Sequence, residues 1–215
     1  MKFIQGKLIK SYKTEQEQFW AGEFGTNYIN RNQSNHLVAS NIVLFSKIIA
    51  KTNQVSSIIE FGANIGLNLH ALHTLLPDAS LGAIEINETA VNQLKRYKHI
   101  KIYHDSILEA IVDETYDLTL IKGVLIHINP NELSTVYKKL YKLSKRYICI
   151  VEYYNPSPIE IPYRGHEGKL FKRDFAGELM DKYSDLELID YGFVYHRDTN
   201  FPQDDCTWFL LEKGN

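Results

Sequence analysis

The chain predicts an α/β fold: a seven-stranded, mostly parallel sheet with an antiparallel C-terminal hairpin strand and helices on both faces. Three observations lead there. The run Ser57-Ile58-Ile59-Glu60-Phe61-Gly62-Ala63-Asn64-Ile65-Gly66-Leu67-Asn68 reads as a buried strand, a tight Gly loop and the start of a helix. From residue 34 onward, helix-like and strand-like runs alternate at the spacing of βαβ units with right-handed crossovers. The last two strand runs are joined only by the loop Arg197 to Asp205. That is too short for a parallel crossover, so they pair antiparallel.

Each element has a local reason. Ser34 caps a helix whose apolar face is Leu37, Val38, Ile42, Phe45, Ile48 and Ile49, a 3.6-residue pattern. Ser57 to Phe61 is the first strand of the sheet. Leu67 to Leu76 is helical, and Pro77-Asp78 stops it. Ser80 to Ile86 is the second strand, and Asn87 and Thr89 offer capping side chains for a helix through Tyr97. Ile100 to His104 and Tyr116 to Ile121 are the third and fourth strands. Asn129 is placed as an N-cap, with Pro130 first in the helix and Glu132 third, a capping-box-like pair before the stripe Leu133, Val136, Tyr137, Leu140. Tyr147 to Val151 is the fifth strand. A long irregular segment runs from Glu152 to Arg173. A helix near Asp174 to Tyr183 follows, then strands at Leu186 to Tyr195 and Cys206 to Glu212.

Size and composition narrow the function classes. A chain of 215 residues suits one α/β domain, and 44% hydrophobic content can fill its core. The 24 basic and 26 acidic residues nearly balance, and no long basic run occurs. That argues against a dedicated nucleic-acid binder while leaving room for a local basic patch. The start Met1-Lys2-Phe3-Ile4-Gln5-Gly6, followed by Lys7 and Lys10, is too short and polar for a signal peptide, and no apolar run reaches membrane-spanning length. A cytoplasmic protein without membrane contact is expected. Cys149 and Cys206 sit in apolar runs and read as buried thiols. No Cys-x-x-Cys or His-Glu-x-x-His spacing marks a metal site. No linker or repeat marks a second domain.

A strand, Gly loop and helix start place bare N–H groups and a positive helix end around one spot, suited to a nucleotide-like ligand. Gly62 and Gly66 let the backbone pass close to it, and Asn64 tolerates positive φ better than most residues. Glu85 ends the second strand about twenty residues on, where a carboxylate can accept both hydroxyls of a ribose. Dinucleotide spacing counted from Gly62 needs glycines where the chain has Asn64 and Leu67, which disfavours NAD.

The Glu60-x-Gly62-x-x-x-Gly66 spacing resembles motif I of class I S-adenosylmethionine (SAM) dependent methyltransferases, and the resemblance covers residues 34 to 212. It implies a Rossmann-like class I methyltransferase fold with SAM as cofactor. It further implies that Glu60, Gly62, Ala63, Asn64 and Gly66 hold the cofactor's amino end, that Glu85 and Ile86 hold its ribose, and that Asp105 and Ser106 meet its adenine. Lys122 and Gly123 border its sulfonium. The N-terminal run Phe19-Trp20-Ala21-Gly22-Glu23-Phe24-Gly25-Thr26-Asn27-Tyr28-Ile29-Asn30-Arg31-Asn32 and the run Lys122-Gly123-Val124-Leu125-Ile126-His127-Ile128 look like the methylases associated with pseudaminic acid biosynthesis. That narrower resemblance implies a sugar-derived acceptor, nucleotide-activated or nonulosonic, in surface polysaccharide biosynthesis. Residues 1–33 then form a lid segment over a SAM-binding domain at 34–215, with Arg31 pairing the methionyl carboxylate and Tyr28 and Trp20 covering the sulfonium or acceptor. An ordinary packed N-terminal loop is the alternative.

The acceptor is expected at the segment Glu152 to Arg173, where Tyr153, Tyr163, Arg164 and Arg173 are candidate binding residues, with His166 and Lys172 nearby. Solvated surface charges are the competing reading. Methyl transfer is an in-line displacement from a built-in leaving group, so alignment and desolvation matter most. An oxygen acceptor also needs its proton removed; His127, His166 and Tyr154 are the candidates. The alternatives are a SAM-utilising enzyme of tRNA or cofactor modification and a non-catalytic SAM- or nucleotide-binding module.

Overall fold

The computed structural model describes the backbone of residues 2–4, 7–9, 11–31 and 34–214, and the side chains of 11–29 and 34–214. An antiparallel hairpin of β1 (Lys2–Ile4) and β2 (Lys7–Ile9) opens the chain. Helices α1 (Glu15–Ala21), α2 (Glu23–Arg31) and α3 (Asn35–Ile49) follow. Then β3 (Ser57–Phe61), α4 (Leu67–Leu75), β4 (Ser80–Glu85), α5 (Glu88–Leu94), β5 (Ile100–His104) and β6 (Tyr116–Lys122) alternate. After two 3-10 turns come α6 (Leu133–Leu143), β7 (Ser144–Glu152), a two-residue ladder of β8 (Ile159–Glu160) with β9 (Phe171–Lys172), α7 (Phe175–Lys182), β10 (Leu186–Val194) and β11 (Cys206–Lys213).

The main sheet has seven strands in the order β10-β11-β7-β6-β3-β4-β5. The five strands from β7 to β5 are parallel, and β11 enters antiparallel between β7 and β10. Side chains of successive strand residues leave opposite faces, so Ile58 and Ile59 serve different cores. Leu44, Phe45 and Ile48 of α3 and Leu69 and Leu72 of α4 pack on the Ile58, Leu81 and Leu120 face. Leu133, Val136 and Leu140 of α6 and Phe175 and Leu179 of α7 pack on the Ile59, Ile121 and Ile150 face. No helix among the described residues is long and apolar enough to cross a membrane.

Several local expectations need correction. α5 ends at Leu94; Tyr97 closes the next turn onto the Leu94 carbonyl at 2.9 Å. Asn129 does not start the α-helix. Its side-chain carbonyl accepts from Asn131 N at 3.0 Å, the Pro130–Glu132 turn is 3-10, and α6 begins at Leu133. The expected reciprocal bond is also absent there, since Glu132 is turned to Lys13 Nζ at 2.8 Å. The 152–173 segment is more ordered than irregular. Besides the β8–β9 ladder, Tyr163 and His166 exchange backbone hydrogen bonds of 2.8 and 3.0 Å across Arg164 and Gly165, both at positive φ. Two positive φ values in a row are what a type I′ turn requires.

The largest departure is at the N-terminus, where the aromatic, Gly-containing run is helical. Thr14 and Glu17 form a full capping box: Glu17 N donates to Thr14 Oγ1 at 3.2 Å and Thr14 N to Glu17 Oε2 at 2.8 Å. The two helices meet so closely that a Cβ on Gly25 would run into the Trp20 carbonyl.

Candidate functional site

A cavity of about 460 Å³ opens at the carboxyl ends of β3, β4 and β6, roofed by α1 and α2. That volume is in the roughly 300–1,000 Å³ range of small-molecule sites. Its floor is the loop after β3. Gly62, Asn64 and Gly66 all take positive φ, at 75°, 49° and 84°. Such angles favour glycine and, among side-chain residues, Asn. At Gly62 and Gly66 the close neighbours are protein atoms: a Cβ would meet Val124 Cγ2 and Leu94 Cδ2, each at 2.7 Å. A Cβ on Gly123, φ 65°, would meet nothing within 4 Å, so that backbone is open.

Glu85 is buried and lines the cavity. Asn64 N donates to its Oε2 and Asn87 N to its Oε1, each at 2.7 Å. Burial pushes its pKa up, and these backbone dipoles pull against that shift. The Ile86 main chain adds a third backbone dipole on the carboxylate. Backbone N–H groups therefore aim the carboxylate into the cavity.

Glu60 lies lower. It is fully buried, and Asn68 Nδ2 donates to its Oε1 at 2.6 Å while Oε2 has no partner among the described residues. Burial pushes its pKa up to about 8. Asn68, not Glu60, lines the cavity. Ala63, Ile86, Ser106, Lys122 and Gly123 line it as well. Asp105 does not; it accepts from Ser106 N at 2.9 Å, and the Ser106 hydroxyl donates to Glu17.

At the other end stand Trp20, Tyr28, His127, Tyr153 and Tyr163. His127 is 7% exposed, with ring centroids of Trp20 and Tyr163 at 4.6 and 4.8 Å. Burial holds its pKa down at about 4, so the imidazole is neutral at physiological pH. Its Nδ1 bonds the Lys169 carbonyl.

Other expected site residues fall elsewhere. Arg31 closes α2, and its side chain lies outside the described residues. His166 is exposed on the far side of the roof, edge-on to Phe19 and Phe24 at 5.1 and 5.6 Å. Tyr154 is 43% exposed beside Phe209 and outside the cavity. Arg173 is held by Glu178 at 3.0 Å, within the packing of α7. Arg164 is exposed, 5.8 Å from the Tyr163 ring centroid. The sequence reading missed Gln16, Glu17, Asn41 and Asn68, and the Gln203, Asp204 and Cys206 wall. Thr14-x-x-Glu17 was a readable helix start; the wall had no local signal.

No protein-family model matches the chain, and no curated protein matches it. Solved structures do. The mitomycin 7-O-methyltransferase MmcR superposes with a TM-score of 0.67 at 12% identity, over 94% of this chain and 61% of that one, so this chain spans under two thirds of its length. The 1,6-didemethyltoxoflavin-N1-methyltransferase of Burkholderia thailandensis, with S-adenosylhomocysteine bound, gives 0.66 at 11% identity over 93% and 87%. Magnesium protoporphyrin IX methyltransferase from Synechocystis, with SAM bound, gives 0.64 at 12% identity over 95% and 100%. The fold is that of the class I SAM-dependent methyltransferases. In this fold the cavity sits at the carboxyl ends of the strands, where open α/β sheets bind their ligands.

Proposed function

We propose that the protein is a SAM-dependent methyltransferase acting on a small molecule. The observation that carries the reading is Glu85, a buried carboxylate aimed into the cavity by the N–H groups of Asn64 and Asn87, beside a loop of three positive-φ residues. Neighbours of the same fold hold SAM or S-adenosylhomocysteine. In this reading Glu85 accepts from the ribose hydroxyls, Asn68 and Lys122 meet the amino-acid end above Glu60, and Ser106 borders the adenine. When bound, SAM supplies an activated methyl group with its own leaving group. The protein's part is alignment and exclusion of water, which α1 and α2 provide as a roof.

His127, neutral, accepts the acceptor's proton or its hydrogen bond. The acceptor is placed among Trp20, Tyr28, Tyr153 and Tyr163. A sugar-derived acceptor, the class that the sequence resemblance supplies, fits the aromatic faces of Tyr153 and Tyr163 that line the cavity. A cytoplasmic setting fits two buried free thiols.

The test is calorimetric titration of wild type and Glu85→Ala with SAM and with NAD. SAM binding that the variant loses, with silence toward NAD, supports the reading and opens an acceptor screen starting with nucleotide-activated nonulosonic sugars. Folded wild type that ignores SAM overturns it. SAM binding without methyl loss across that screen moves a non-catalytic module to first place.

A further inference from the structure

Three segments far apart in sequence meet beside His127. Gln16, on α1, is 4% exposed. Its Nε2 donates to the Gly168 carbonyl at 2.9 Å, and its Oε1 accepts from Asn129 Nδ2 at 3.2 Å. Asn129 follows His127 on one segment, and Gly168 precedes Lys169 on the other. One buried amide therefore grips both the segment that carries the imidazole and the segment whose carbonyl the imidazole meets.

That meeting has only one polarity. A carbonyl oxygen has no proton to give, so when a neutral imidazole bonds it through Nδ1, Nδ1 carries the hydrogen. Nε2 is then the nitrogen with the lone pair. We propose that Gln16 is a positioning residue that fixes the His127 proton on Nδ1 and so presents Nε2 as the accepting nitrogen of the acceptor pocket. What Nε2 accepts rests on the methyltransferase reading; which nitrogen carries the proton does not.

Other contacts do not replace the amide. Gly168 takes φ 65°, open to glycine, and its N–H donates to Glu160 at 2.6 Å. That bond anchors Gly168 within its own flap, not against His127. Lys169 Nζ pairs with Glu15 at 2.9 Å, but the Glu15 side chain is 67% exposed. Exposed pairs contribute little and are screened by salt. Without Gln16 the Gly168 carbonyl and the Asn129 amide both lose this partner, and the hold of the Lys169 carbonyl on the imidazole loosens.

The experiment is long-range 15N–1H correlation of the histidine rings in the intact chain at pH 7.5, with His127→Gln to assign the His127 signals. Wild-type His127 is expected as the Nδ1–H tautomer by about fivefold or more, the ratio one buried hydrogen bond supports. In Gln16→Ala the excess is expected to fall below about twofold. Gln16→Glu keeps an acceptor for Asn129 but removes the donor to Gly168, and it is expected to lie between the two. Wild-type His127 carrying its proton on Nε2, or doubly protonated, overturns the proposal. So does a tautomer ratio unchanged in both Gln16 variants. A chain that shows the expected tautomers yet binds no SAM leaves this inference standing and removes the function proposed for the site.

Discussion

Asn87 links the sheet to the roof, and its replacement gives the sharpest test of how the cavity is built. The side chain is buried. Its Oδ1 accepts from Ala90 N at 3.1 Å and caps α5. Its Nδ2 donates to the Trp20 carbonyl at 3.1 Å and to Thr26 Oγ1 at 3.2 Å, at the α1–α2 junction. Asn87→Ala removes an N-cap of about 1 kcal/mol. It also strands the part-buried Trp20 carbonyl at a further cost of about 1–3 kcal/mol. The loss should be about 2–4 kcal/mol, and for a chain of this length each kcal/mol lowers Tm by roughly 2–4 °C. Asn87→Ser keeps a capping oxygen and should recover about 1 kcal/mol of that loss. The Asn87 main-chain bond to Glu85 survives both changes. Urea unfolding followed by tryptophan fluorescence and by circular dichroism measures each variant. A loss below about 0.5 kcal/mol in Asn87→Ala, or no difference between Ala and Ser, refutes the reasoning.

Three further outcomes are expected. Burial raises Glu60 to about 8, so its stability contribution is complete below about 4.5 and is lost as pH rises through 8; Glu152, raised to about 7, has the same slope. His127, lowered to about 4, runs oppositely: its contribution is complete above 6.5 and is lost as pH falls through about 4. Glu60→Gln should therefore gain stability over wild type on going from pH 5 to pH 8.5 in denaturant titrations, and a pH-independent difference would count against it. Gly25→Ala should undock α2 from Trp20 and cost about 1–3 kcal/mol or more, read as a lower urea midpoint and a red-shifted tryptophan emission. Arg173→Ala should cost about 1.5–3 kcal/mol through its Glu178 partner while leaving SAM affinity unchanged by calorimetry; a selective loss of ligand binding would contradict its packing role.

Much of the frame was legible locally. Apolar runs marked the inner strands β3, β4, β6 and β7, which are buried on both faces, while the more exposed β5 and β10 were placed by their spacing. The positive φ of Gly62, Asn64 and Gly66 follows from residue types that tolerate it. The place of Glu85 follows from the strand-end position. The misses share one cause. Asn129 does cap a helical turn with Pro130 first, but that turn is 3-10 and Lys13 takes the Glu132 carboxylate from across the chain. Arg173 and His166 looked like ligand groups because they are polar residues in a long loop, but Glu178 and the Phe19–Phe24 pair hold them outside the cavity.

By itself, the sequence determined the class of sheet, the antiparallel last strand, the Gly loop and the carboxylate after the second strand, because each is written in residues that are neighbours or one helical turn apart. Only the tertiary structure decided which side chains share the cavity. Gln16 reaches Asn129 and Gly168 across 113 and 152 positions of chain, and no periodicity or cap encodes contacts at such separation. They exist because the sheet brings the ends of β3, β4 and β6 together and the N-terminal helices bury their aromatic faces against them.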